Sequence, residues 1–216
     1  MNNSDRTKKL NRFIKKVKAD CRRHGIELNL SKGKNVVVAG LPCSGYFDAE
    51  NLVLAVATGK PFSEWVEILV HEYCHLQQFL EDAQIMKDYC VDGTEAGILF
   101  DLWINHKIDL NKTQLHDVVM RVLLMEKDCE ERAVEMILEE ELPIDLFNYI
   151  QKANAYLFSH HAVAKHRVWF KKGHSPYKDE EVVSMMPLDF AGNYKTLGRR
   201  QLEVIADRCL DFGKAS

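Results

Sequence analysis

Residues 63–80 read SEWVEILVHEYCHLQQFL and carry the pattern H-E-x-x-H at His71, Glu72 and His75. Apolar residues recur along it at helical spacing and no proline interrupts it, so it predicts a helix buried on one side. Ser63 is the predicted N-cap of that helix. Because residues four apart lie one turn above each other on the same face, the two imidazoles can bind one metal ion.

The glutamate of the pattern has a different predicted role. Glu72 lies beside the metal position rather than on it, where a carboxylate can take a proton from a metal-bound water. Zinc lowers the pKa of such a water to about 7. The pattern therefore predicts hydrolysis of a peptide bond. The competing interpretation is a buried amphipathic helix whose two histidines bond to backbone groups.

A catalytic zinc site takes a third protein ligand, which has to come from elsewhere in the chain. The metzincin pattern is not met, because Gln78 and Glu81 stand where it requires glycine and histidine. Glu81 follows His75 by six residues, so the helix turns it away from the histidine pair. The better source is the long helical pattern over residues 118–141.

Helical geometry sorts the acids of that segment. Glu130 shares a stripe with apolar residues that must face the protein interior, whereas Glu131 shares one with charged residues that belong in water. A buried lone carboxylate needs a partner, and a metal dication is one. We therefore predict Glu130 as the third ligand. Glu126, one turn earlier, is the alternative, either as a ligand or as an outer acceptor that holds a ligand imidazole in one tautomer.

A competing interpretation gives Glu130 an inward ion pair instead, with Arg132 or Arg167 as its partner.

Two histidines on one helix and a glutamate on a later one resemble the gluzincin class of zinc metallopeptidases. The order of elements further resembles the ImmA/IrrE family of bacterial regulatory metallopeptidases, over about residues 35–137. The matching pieces are Gly45, the apolar run 52–56, the H-E-x-x-H pattern and the stretch 130–133. This chain differs by Tyr73 and Cys74 where leucine and glycine are usual, and by Arg132 where an acid is common. The resemblance implies a zincin-like fold, Zn²⁺ as cofactor and a protein or peptide substrate.

A peptidase of this type usually offers a histidine or tyrosine to the oxyanion that forms during attack on the carbonyl. Here the candidates lie in the helical pattern after residue 145, and we choose His160 first and Tyr156 second, which are one turn apart. The competing interpretation for each is a structural or solvent-exposed side chain.

The remaining pattern predicts an α+β, helix-dominated chain. Extended runs over 26–30 and 35–39 flank a turn at 31–34, residues 41–45 form a loop, and 51–57 form the last strand before the motif helix. This predicts a small antiparallel sheet near the N-terminus, packed on the H-E-x-x-H helix and later helices. Helices are predicted near 94–106, 112–141, 145–171, 179–186 and 197–211. The run 52–56 is either an edge strand that pairs with extended substrate or a buried strand.

Composition favours a single domain over 1–216, made of a basic amphipathic helix (1–24), a sheet and metal-site core (25–141) and a helical part (142–216). With 216 residues and 46% hydrophobic content, one sizeable core can form. The six cysteines form no C-x-x-C pair, which is typical of a reduced, cytoplasmic protein. We expect no signal peptide and no membrane span.

The first helix carries a basic outer face on an apolar stripe, although the net charge of −3 argues against nucleic acid as the main partner. It is either a solvated covering helix or a contact for an acidic partner, a membrane surface or nucleic acid. The sequence as a whole predicts a zinc-dependent peptidase with Glu72 as general base. The alternative is a non-catalytic zincin-like binding or regulatory module that acts through a protein or nucleic-acid partner.

Overall fold

A computed structural model of the chain describes residues 3–38, 40–192 and 194–213, without the side chains of residues 3 and 41. The fold is α+β and helix-dominated, as predicted. Contacts between residues divide it into two compact units. The first comprises Met1–Ala83 and Cys129–Leu146, and the second comprises Gln84–Asp128 and Phe147–Ser216. The assignment of one domain to 1–216 stays a prediction, because this division does not show whether either unit folds alone.

The first unit begins with helix α1 (Asn3–Arg23) and contains five strands and helix α2. The strands are β1 (Glu27–Ser31), β2 (Val36–Val38), β3 (Leu41–Cys43), β4 (Gly45–Asp48) and β5 (Val53–Ala57). Helix α2 spans Phe62–Leu80. Residues 1 and 2 of the predicted first helix and residue 39 of the predicted second strand lie outside the described residues.

The strand pairing corrects the predicted sheet. β1 pairs with β5 in parallel and β4 pairs with β5 in antiparallel fashion, which gives a mixed sheet of order β1-β5-β4. β2 pairs with β3 in a separate antiparallel ribbon, so the expected pairing across the turn at 31–34 is wrong. The predicted loop over 41–45 is also wrong, because it contains β3 and the first residue of β4.

The central place of β5 follows from its sequence. Leu54, Ala55, Val56 and Ala57 are all fully buried, and a continuous apolar run covered on both faces suits the middle of a sheet. The interpretation of residues 52–56 as a substrate-pairing edge strand is therefore wrong, and the buried strand is confirmed. The edge beside the motif helix is β4.

Helix α1 covers the first unit with an apolar stripe and pairs part of its basic face. Leu10, Phe13, Val17 and Cys21 are buried. Arg12 Nε and Lys16 Nζ lie 3.2 and 3.1 Å from the carboxylate of Glu140, and Lys9 pairs with Glu141. The prediction of an amphipathic helix is confirmed, and acids of the same unit neutralise part of its charge.

The second unit is mainly helical. It contains α3 (Gln84–Asp88), a two-stranded ribbon of β6 (Cys90–Val91) and β7 (Thr94–Glu95), α4 (Ala96–Ile104), a 3₁₀ turn (Pro176–Lys178), α7 (Glu180–Ser184) and α8 (Arg199–Cys209). Most of α6 (Leu146–His166) also belongs to it. Helix α5 (Lys112–Glu139) gives residues 112–128 to this unit and 129–139 to the first. The sequence analysis did not predict α3 or the β6–β7 ribbon.

Within the described ranges, no helix combines the length and the apolar character that crossing a membrane requires.

Candidate metal centre

Helix α2 presents the H-E-x-x-H residues from a firmly packed base. Its buried face consists of Val66, Leu69, Val70, Tyr73, Cys74, Leu76 and Gln78. The helix follows Pro61, and no side chain caps its first turn, so the prediction of Ser63 as N-cap is wrong. Instead Lys60 Nζ donates to Glu64 Oε1 at 2.8 Å and to Ser44 Oγ at 2.7 Å, which joins the start of α2 to the segment before β4.

The two histidines of the pattern face each other across one turn. Nε2 of His71 lies 3.1 Å from Nε2 of His75, and the rings are nearly perpendicular. Two nitrogens held about 2.0–2.1 Å from one tetrahedral ion lie about 3.3 Å apart. The separation observed here is therefore close to that of two ligands on one metal ion.

The other nitrogen of each ring has an oxygen partner. Nδ1 of His75 lies 2.9 Å from Oε1 of Gln78, whose side chain is fully buried. Nδ1 of His71 lies 3.1 Å from Oε1 of Glu130. A proton on each Nδ1, donated to these acceptors, leaves the lone pairs of both Nε2 atoms directed at the space between the rings.

A third potential ligand is the thiol of Cys129. One ligand atom from each of His71, His75 and Cys129 lies within 4.8 Å of the other two, so these side chains form a group that could hold a metal ion. Cys129 is fully buried, its Sγ lies 3.7 Å from Nδ1 of His71, and its thiol donates to the backbone oxygen of His71 at 3.3 Å.

The anionic surroundings affect protonation of His71. Burial alone would lower the pKa of this imidazole. The sulfur of Cys129 and the carboxylate of Glu130 favour its charged form, and together they raise the pKa of His71 well above its ordinary value. A cation is therefore electrostatically favoured at this position, whether it is a proton or a metal ion.

The predicted acids lie where helical geometry placed them. Glu130 is 5% exposed and Glu126 is 8% exposed, whereas Glu131 is exposed. Glu81, which we rejected as a ligand, accepts a hydrogen bond from Arg132 at 2.7 Å. The role of Glu130 as a metal ligand stays a prediction, as does that of Glu126, which belongs to the second unit.

Glu72 is half-buried on α2 and lies against the edge strand. A Cβ atom added to Gly45 would stand 3.0 Å from Cγ of Glu72 and 2.6 Å from Cγ2 of Ile68, so β4 approaches the helix closely at this glycine. Burial and the negative charge of Glu72 raise the pKa of the Cys43 thiol at the end of β3. The β3–β4 segment thus borders the proposed general base.

The predicted oxyanion donors lie in the second unit. His160 is 4% exposed, its Nδ1 lies 3.1 Å from the backbone oxygens of Tyr156 and Leu157, and burial lowers its pKa. The ring of Tyr156 packs edge-on against that of His160 at 4.9 Å. Their catalytic roles stay predictions.

The sequence analysis did not predict a role for two residues of this centre, Gln78 and Cys129. Gln78 follows His75 by three residues on the same face of α2, and this spacing was a usable signal. Cys129 precedes Glu130 and lies on the buried side of α5, but its proximity to His71 depends on packing between segments 58 residues apart.

Comparison of the chain with models of protein families, with curated proteins and with solved structures finds no match.

Proposed function

We propose that this protein is a zinc-dependent peptidase of the gluzincin type, organised like the ImmA/IrrE family, with a zincin-like fold in its first unit. The observation that carries the proposal is the 3.1 Å approach of the two Nε2 atoms of His71 and His75 on the helix that also bears Glu72. The mixed sheet and α2 supply the scaffold.

The geometry of the two rings supports a metal ion between them. With both Nδ1 atoms donating to Gln78 and Glu130, the two Nε2 atoms can share one cation. The raised pKa of His71 lets a proton take this place, and a metal ion that displaces the proton finds two lone pairs at ligand spacing. Divalent zinc suits imidazole ligands in a partly buried site.

Zinc bound there would supply Lewis acidity and lower the pKa of a bound water to about 7. Glu72 would take the proton from that water and pass it to the nitrogen of the leaving amine. His71 and His75 would hold the ion, while their Nδ1 partners would keep the rings in the correct tautomer.

The substrate class follows from the strand beside Glu72. β4 is the edge of the sheet β1-β5-β4, and edge strands can pair with an extended peptide through main-chain hydrogen bonds. Gly45 brings this edge close to Glu72. A protein or peptide segment bound along β4 would place a peptide bond beside the general base.

We also propose a reducing, cytoplasmic environment. All six cysteines are free thiols, including Cys129 beside the candidate metal ligands, and an oxidising compartment would favour their pairing.

The test replaces Glu72 by glutamine. In zinc-loaded protein we expect Glu72→Gln to lower peptide cleavage by about 10²- to 10⁴-fold, because the general base is lost while both imidazoles remain. Cleavage is measured by mass spectrometry of new N-termini in a proteome-derived peptide mixture, and bound zinc is measured in parallel. Glu67→Gln, on the same helix, is the control.

Equal product sets from the wild-type protein and Glu72→Gln would contradict the mechanism. Zinc binding without new N-termini in either protein would favour the alternative, a non-catalytic zincin-like module that acts by binding a partner.

A further inference from the structure

We propose that Cys129 supplies the third protein ligand of the metal centre as a thiolate, while Glu130 is the outer acceptor for Nδ1 of His71. This inference rests on the metal-binding part of the proposed function and not on peptide cleavage. It assigns a His-His-Cys ligand set in place of the predicted set of His71, His75 and Glu130.

The position of Cys129 supports the assignment. Its Sγ belongs with the ligand atoms of His71 and His75 to the group whose members lie within 4.8 Å of one another. Sulfur and nitrogen on one tetrahedral zinc ion, at about 2.3 and 2.0–2.1 Å from it, lie about 3.6 Å apart. Sγ lies 3.7 Å from Nδ1 of His71, the nitrogen that Glu130 also contacts, so binding to an ion between the two Nε2 atoms requires a rotation of the Cys129 side chain or of the His71 ring.

Glu130 is engaged differently. Its Oε1 lies 3.1 Å from Nδ1 of His71, the nitrogen opposite to the one that faces His75. A carboxylate that accepts a proton from the non-ligating nitrogen is the usual outer partner of a metal-bound histidine. Gln78 has the same relation to His75 at 2.9 Å. Each histidine therefore has its own oxygen acceptor.

The burial of the thiol agrees with a ligand role. Cys129 is fully buried, and its thiol donates to the backbone oxygen of His71 at 3.3 Å. Loss of its proton to a bound metal would leave a thiolate beside a dication, which removes the cost of the buried charge. Three protein ligands then leave one position for water, as in catalytic zinc sites with mixed cysteine and histidine ligands.

The ligand set has a consequence for the metal. A soft thiolate favours zinc or cobalt over the hard ions magnesium, calcium and manganese. We expect the full-length protein to bind Zn²⁺ and Co²⁺ with one-to-one stoichiometry, and to show no comparable binding of Mg²⁺.

The experiment uses Co²⁺ as the probe in the full-length protein. The wild-type complex should show a sulfur-to-cobalt charge-transfer band in the near ultraviolet, because a thiolate bound to cobalt absorbs there. Cys129→Ser should abolish the band and weaken binding by more than the 10- to 100-fold typical for loss of an outer partner. Cys129→Asp, which keeps an anionic ligand, should bind cobalt without the band.

Two variants serve as matched comparisons. Cys21→Ser removes a buried cysteine of the same unit on α1 and should leave the spectrum unchanged. Glu130→Gln should keep the band and weaken binding by about 10- to 100-fold, as expected for an outer partner. If Cys129→Ser does not fold, the wild-type spectrum still shows whether a thiolate binds the ion. The two comparison variants then show whether Cys21 or Glu130 contributes to the band.

A cobalt complex of the wild-type protein without a sulfur band would overturn the assignment, as would an unchanged spectrum in Cys129→Ser. Weaker metal binding in Glu130→Gln than in Cys129→Ser would return the ligand role to Glu130. In these cases cleavage that depends on Glu72 can persist, so the peptidase proposal would survive. Complete failure to bind Co²⁺ and Zn²⁺ would overturn both proposals.

Discussion

At the scale of single residues, the metal centre depends on the partners of the histidines as much as on the histidines themselves. Gln78 is fully buried and its Oε1 lies 2.9 Å from Nδ1 of His75. An amide is a weaker acceptor than a carboxylate, so His75 and His71 are held by groups of different charge. This asymmetry gives His71 the more electron-rich environment.

Replacement of Gln78 by alanine should weaken zinc binding by about 10- to 100-fold, because the acceptor that fixes the tautomer of His75 is lost. Gln78→Glu, which keeps an oxygen at this position, should retain binding closer to that of the wild-type protein. Affinity is measured by competition with a chromophoric zinc chelator. Gln77→Ala removes the neighbouring glutamine and is the control. Equal affinities for wild type and Gln78→Ala would show that the hydrogen bond does not position His75.

At the scale of elements, the packing of β4 on α2 determines what surrounds Glu72. Side chains on alternate residues of β4 face the helix. At Gly45 there is no room for a side chain, and two residues later Phe47 packs against Phe79 of α2 with ring centroids 5.5 Å apart. The strand therefore packs on α2 through a close backbone approach at Gly45 and an aromatic contact at Phe47.

Replacement of Gly45 by alanine should destabilise the protein by about 1–3 kcal/mol, the usual cost of forcing extra volume into a packed contact. The added methyl group would lie 2.6 Å from Cγ2 of Ile68, so the strand or the helix has to shift. Urea denaturation measures the effect. Gly192→Ala is the control, because a Cβ there meets no atom within 4 Å. A Gly45→Ala variant as stable as the wild-type protein would show that β4 and α2 leave room for a methyl group at this position.

At the scale of the whole molecule, metal binding and folding should be linked. The candidate ligands come from α2 and from the last part of α5, which are separated in sequence but belong to the same unit. An unfolded chain does not hold these side chains together, so an ion that binds the folded state stabilises it.

Zinc should therefore raise the stability of the protein by about 2.7 kcal/mol when its free concentration is 100 times the Kd. For a chain of this size the corresponding rise in Tm is about 5–10 °C. Thermal unfolding with zinc and with a chelator gives the difference. His75→Ala should abolish it, whereas His116→Ala, an exposed histidine, should preserve it. An equal zinc effect in His75→Ala would locate the bound ion elsewhere.

The sequence determined the features that depend on local geometry. The spacing of His71 and His75 placed both imidazoles on one face of α2, and the apolar stripe of α5 buried Glu130 and exposed Glu131. These patterns are periodic along the chain, so neighbours three or four residues apart reveal them. The helix-dominated α+β class followed from the same reasoning.

The tertiary structure decided the features that join distant segments. It made β1 a parallel partner of β5, turned the expected loop into β3 and β4, and brought Cys129 and Glu130 to the ring of His71. Strand order and contacts between helices depend on which buried surfaces fit together across the whole chain. Local periodicity carries no record of that fit, because it reports which side of an element is buried and not what covers it.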